Sequence, residues 1–136
     1  MATVSELRTG LANNLATIQG LRTSPTIPDQ INPPLAVIIP NTITFDTAFA
    51  RSGGDEYEFI VTLIVGRVDE RTAQNRLDAY CSGSGASSVK AAVESDKTLG
   101  GKAFDCRCVS LRNYNQISVG DSMYLSAEFV VQVYSA

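Results

Sequence analysis

Three cysteines, Cys81, Cys106 and Cys108, are the residues of this chain best suited to chemistry by type and spacing. Cys106 and Cys108 sit two apart in an alternating segment, so on a strand both thiols point to one face, as a thiolate metal site requires. With Cys81 they supply three ligands, but the chain has no fourth cysteine and no histidine. Their spacing is not that of a zinc knuckle, and small apolar side chains on an inner face account for them more simply. The missing histidine also removes the commonest general base near neutral pH and makes Ser-His-Asp and Cys-His arrangements impossible. A cysteine nucleophile alone needs some other group to lower its pKa.

The remaining chemical motifs are incomplete. Gly100-Gly101-Lys102 is followed by Ala103 instead of Ser or Thr and lacks the earlier glycine of a phosphate loop. Gly83-Ser-Gly85 follows an expected helix, where a dinucleotide fingerprint needs a strand. Adjacent carboxylates occur at Asp55-Glu56 and Asp69-Glu70. On a strand such neighbours point to opposite faces, and at a helix start they serve the dipole. The aromatics expected at the surface, Tyr57 and Tyr114, do not alternate with basic residues as a stacking platform for single strands would. No catalytic, cofactor-binding or metal-ligating residue is assigned, no cofactor is expected, and the chain reads as a non-enzyme.

Composition narrows the class further. The chain has 136 residues, 44% apolar and 18% charged, enough to bury a core as one domain spanning 1–136. Its net charge is −3 with scattered basic residues, which argues against tight binding to nucleic acid or an anionic membrane. The apolar runs Leu35 to Ile39 and Phe59 to Val65 fall short of the roughly 20 residues that span a bilayer. Glu6 and Arg8 interrupt any export signal, so a soluble, unexported protein with free thiols is expected.

These residues must be positioned by a small number of elements. Thr3 and Glu6 have capping-box spacing, and Val4, Leu7, Leu11, Leu15, Ile18 and Leu21 recur at helical period, with Gly20 placed to end the helix. Four prolines between Ser24 and Pro34 make an extended connection, either a plain crossover or an arm that meets a neighbour. Leu35 to Ile39 reads as a buried strand stopped by Pro40, and Ile43, Phe45 and Phe49 as one face of a second, half-exposed strand. A turn at Arg51 to Asp55 leads to a return strand with Tyr57, Phe59, Val61, Leu63 and Val65 on one face and Ile60, Thr62 and Ile64 on the other, as in a central strand. A helix capped by Asp69 buries Ala73, Leu77 and Tyr80, and a second from Ser87 to Asp96 buries Val89, Ala92 and Val93. The last two strands, around Phe104 to Val109 and Met123 to Val133, pair across a polar loop from Asn113 to Asp121. The expected fold is therefore α+β, a mainly antiparallel sheet of about five strands in the order α-β-β-β-α-α-β-β.

Segments spread over nearly the whole chain carry a family resemblance. They include Leu7-Arg-Thr-Gly-Leu-Ala-Asn-Asn-Leu15, Asn32-Pro-Pro-Leu-Ala-Val-Ile-Ile-Pro40 and Phe59-Ile-Val-Thr-Leu-Ile-Val-Gly-Arg67. The others are Asp69 to Tyr80, Gly85 to Val93 and Tyr124 to Tyr134. Together they resemble small tail-assembly proteins of actinobacterial siphophages, and size and element order look like the tail terminator family. That resemblance implies a virion protein, assembled in the host cytoplasm, that forms a hexameric ring at the head-tail junction. The ring docks on the major tail tube protein, ends tube growth and offers its other face to the neck or connector protein. DNA passes through its lumen without specific binding. Neck stopper or connector proteins are the alternative within the same junction; a small ligand-binding domain or enzyme is a more distant one. Ring closure needs a heterologous interface. The turn from Phe49 to Glu56, the proline arm and the Asn113 to Asp121 loop offer patches of both signs, with Phe49, Arg51, Asp55, Glu56, Arg112 and Asp121 as interface residues.

Overall fold

The capping box at the amino terminus closes as its spacing dictates: the Glu6 N–H donates to Thr3 Oγ1 and the Thr3 N–H donates to Glu6 Oε1, each at 3.1 Å. It starts α1, Val4–Leu15, in a computed structural model that describes residues 3–18, 21–24, 34–45, 55–67, 73–85, 87–119 and 122–135. The helix ends earlier than the apolar period implies. Asn14 turns its side-chain amide to the Val93 and Asp96 carbonyls, at 3.0 and 2.9 Å. Beyond it, the Ile18 N–H donates to the Leu15 carbonyl and the Leu21 N–H to the Ile18 carbonyl, and both later apolar residues are buried. Gly20 lies outside the described residues.

Among the described residues, five strands form one sheet in the order β1-β2-β3-β5-β4. They are β1 (Arg22–Ser24), β2 (Leu35–Thr44), β3 (Asp55–Arg67), β4 (Asp105–Val119) and β5 (Ser122–Ser135). Between β3 and β4 come α2 (Ala73–Cys81), α3 (Val89–Val93) and a 3₁₀ turn, Glu94–Asp96. The α+β class and the element order agree with expectation, while three strand assignments need correction. β1 was not anticipated, because Arg22-Thr-Ser24 shows no alternation; it pairs parallel with the start of β2 and makes the sheet mixed. Pro40 does not stop a strand: β2 runs through it with an irregularity between Pro40 and Thr42. Proline is tolerated there because β1 reaches only as far as Val37, so the missing N–H falls on an unpaired edge among the described residues. Phe45 lies just past β2, and Phe49 and the expected turn fall outside the described residues.

The third correction concerns the supposed polar loop after Asn113, which is strand as far as Val119. Main-chain pairing with β5 does not require apolar side chains, so Asn115 opposes Ser126 and Gln116 opposes Leu125. A bulge after Arg112, with Asn113 at φ +55°, bends the strand there. Ser88 caps α3 through the Ala91 N–H, while the Asp69 cap expected for α2 lies outside the described residues.

All three helices contribute to one apolar cluster on one face of the sheet, with Leu7, Leu11, Leu15, Leu77, Val89 and Val93 fully buried there. The strands supply Ala36 and Ile38, the set Tyr57, Phe59, Val61, Leu63 and Val65, and Ala127, Phe129, Val131 and Val133. Each buried large side chain contributes roughly 1.5–3 kcal/mol. Leu35, Val37, Ile60, Ile64 and Val130 are also buried, but by the register they lie on the opposite face. β3 is thus apolar on both sides, as a strand paired on both edges should be.

Candidate functional site

The thiols come first because they are the strongest chemical candidates. Cys106 and Cys108 share the helix-side face of β4, opposite Val133 and Val131, and both are buried. Burial pushes the Cys106 thiol up to about 12, with Asp105 adding to it, and pushes Cys108 up to about 11. Cys81, half-buried at the end of α2, rises to about 11 for the same reason, with Asp78 adding to it. All three hold their protons at neutral pH, the reverse of what a nucleophile or metal ligand needs. Among the described residues no cluster of three or more His, Cys, Asp or Glu could hold a metal. Cys81 and Cys108 do line one cavity of about 160 Å³, together with Lys90, Val109, Leu111 and Phe129.

The glycine-rich pieces are turns. Gly100 and Gly101 take φ of +71° and +91°, and the Gly100 N–H donates to Asp96 Oδ2 at 3.0 Å. Gly85, at φ +106°, is in the turn that follows α2.

The interface residues anticipated from sequence divide into three groups. Asp55 and Glu56 open β3 opposite Ser135 and Tyr134. Glu56 lines a cleft of about 250 Å³ with Asp105, Arg107, Gln132 and Tyr134. Arg112 is apart from them: it opposes Glu128, six positions along β5 from Tyr134, which is about 20 Å at the usual strand rise. Its Nε donates to Glu128 Oε1 at 3.2 Å, and the Asn113 side-chain amide donates to the same oxygen at 2.6 Å. Phe49, Arg51 and Asp121 lie outside the described residues.

Apart from Tyr114, sequence reasoning missed the exposed apolar side chains. Phe45 is 67% exposed and Phe104 58%, and Val109, Leu111, Tyr114 and Met123 are exposed as well. Phe104 alternates with Cys106 and Cys108 and so reads as an inner residue, yet it stands at the surface, tilted against Tyr134 with centroids 5.9 Å apart. It precedes β4 and is not covered as the later residues are. Tyr57 reverses the error: expected at the surface, it is buried and stacked on Phe59 at 6.1 Å. Tyr114 is exposed as expected, and its hydroxyl donates to Asp78 Oδ1 at 2.6 Å, a bond that raises its pKa. Four of the six exposed large apolar residues lie on β4 or just before it, on an outer strand of the sheet. No described helix is long and apolar enough to cross a membrane. Compared with protein-family models and with curated protein sequences, the chain matches none of either.

Proposed function

We propose that this chain is a structural, non-enzymatic subunit of the head-tail junction of a long-tailed phage, a tail terminator whose hexameric ring caps the tail tube. The exposed apolar side chains along β4, with Phe45 beyond β2, carry this reading. Large apolar residues gathered on one strand at the sheet edge are what an assembly subunit presents to its neighbours. The resemblance to siphophage tail-assembly proteins supplies the identity of those neighbours: the tail tube protein on one side and the neck or connector protein on the other. Thiols held protonated by burial and the absence of histidine support a mechanical role. The ring docks on the last tube layer, occludes the growing end and presents its other face to the head. A net charge of −3 suits a ring through which DNA slides without being held.

Mixing the purified protein with tail tubes and imaging by negative stain tests the proposal. The expected result is six-fold rings seated at tube ends and tubes that no longer elongate. Rings that bind the head connector and ignore tubes would assign the protein to the neck layer instead. A protein that stays monomeric with tubes present and never decorates their ends overturns the proposal.

A further inference from the structure

We infer that copies of this chain join edge to edge, with β4 of one copy beside β2 of the next so that the sheet continues across the boundary. This rests on the ring reading and names the surface that builds the ring. Among the described residues no strand lies on the outer side of β4, nor on β2 beyond Val37, where β1 ends. Over this stretch, then, no strand covers either edge among the described residues. The Cys108 N–H donates to Glu94 Oε2 at 3.2 Å and Pro40, in line with Cys108, has no N–H, so a ladder between the two edges skips that one position.

The registers show how well the two edges match. Across the sheet, Leu111 is in line with Phe129, Val61 and Ile38, and Arg107 with Gln132, Glu58 and Thr42. Asp105 is in line with Tyr134, Glu56 and Thr44, and the residues next to the two ends of that line are Phe104, just before Asp105, and Phe45, just after Thr44. These are the two most exposed large apolar side chains among the described residues. Continuing the sheet sets Phe104 beside Phe45 of the next copy and Leu111 beside Ile38 of the next copy. β4 is antiparallel to β5, β5 to β3 and β3 to β2, so the new pair is antiparallel, the favoured arrangement for a ladder.

The outlines agree as well. The line through Val37, where β1 begins to cover β2, meets β4 at Arg112, and there the Asn113 bulge bends β4. Each edge also has one irregularity before that line, between Cys108 and Ser110 on β4 and between Pro40 and Thr42 on β2. The two flank the same line of the sheet, Cys108 with Pro40, so the registers on either side of them stay matched. Charge favours this pairing over a two-fold one. On the shared face, Arg107 approaches Glu58 of the next copy, two strand spacings or about 10 Å away. A two-fold β4 pairing centred between Val109 and Ser110 brings Arg107 and Arg112 of the two copies together, like charges that disfavour that register. One edge meeting a different edge is a heterologous contact, the type that generates a ring when its rotation closes.

Sedimentation velocity on the full chain and on Phe104→Glu, Phe45→Glu and Met123→Glu tests the inference, with thermal melts to confirm folding. Met123 is exposed at the other end of β5 and serves as the control. The two phenylalanine variants should raise the dissociation constant of assembly at least about tenfold, as loss of an aromatic anchor does, while Met123→Glu leaves it unchanged. A second measurement uses no disruptive charge: Phe104→Cys and Phe45→Cys chains are mixed and treated with a mild oxidant, since residues opposed on neighbouring strands have Cβ atoms about 4.5–5.5 Å apart, within reach of a disulfide. Covalent dimers should form in the mixture and not in either variant alone. Dimers from Phe104→Cys alone indicate two-fold pairing and overturn the inference. Rings that persist in both glutamate variants and give no mixed dimer overturn it while leaving the ring reading intact, whereas a native chain that is monomeric at all concentrations removes both.

Discussion

Asn14 shows how one polar side chain organises the helical layer. Buried on α1, it donates to the Val93 and Asp96 carbonyls and so ties the first helix to the end of α3. Asn14→Ala leaves those acceptors without their donor and should cost about 1–3 kcal/mol in urea denaturation. Gly10 marks the other contact between these elements, since a Cβ there would stand 2.8 Å from Leu99 Cβ. Gly10→Ala should therefore destabilise by about 1–3 kcal/mol despite alanine's better helix propensity. Cys106 sets a pH dependence. Its thiol is held up at about 12 in the fold, against about 8.5 in an unfolded chain, so the unfolded state loses its proton first as pH rises. This contribution is intact below about pH 8.5 and declines between there and about pH 12. Melts at pH 8, 9 and 10 should show a shallower decline for Cys106→Ala than for the native chain. Equal slopes would remove the buried thiol from the account.

At the scale of elements, the strands differ in what they tolerate. β5 pairs on both sides, with β3 and β4, so Gln132→Pro removes a ladder donor at the centre of the sheet and should cost about 3 kcal/mol or more. Pro40→Ala sits at the irregular, open edge of β2 and should change the unfolding midpoint little, within about 1 kcal/mol. Comparing the two by thermal unfolding tests the sheet order directly. The elements easiest to read in the sequence were those with a strong period and a local start signal. α1 begins where Thr3 and Glu6 say, and β3 is central because both its faces are apolar. Those hardest to read were β1 and the far half of β4, whose polar side chains carry no alternation and whose pairing depends on a partner strand.

For the whole molecule, the candidate interface was only partly legible. Asp55 and Glu56 do stand together at one end of the sheet, but Arg112 lies well away, engaged with Glu128. Charge can be counted along a chain, whereas distance between charges is set by register. The exposed phenylalanines were hidden for the same reason, since Phe104 shares the alternation of buried neighbours. The acidic balance gives a prediction for the proposed ring. It should elute from a DNA column near 100 mM salt or below, because few phosphates are neutralised and few counterions released. Retention at several hundred millimolar salt would show a basic binding surface that the proposed lumen does not have.

The sequence by itself determined the α+β class, the helix start at Thr3, the central strand and the lack of any histidine-based chemistry, because these follow from local period, capping spacing and composition. Only the tertiary structure decided that α1 ends at Leu15, that β1 joins the sheet in parallel and that Phe45 and Phe104 stand exposed beside the two facing ends of β2 and β4. Each of these depends on residues far apart in the chain being brought into contact, and a one-dimensional pattern holds no record of which partner a backbone edge will meet.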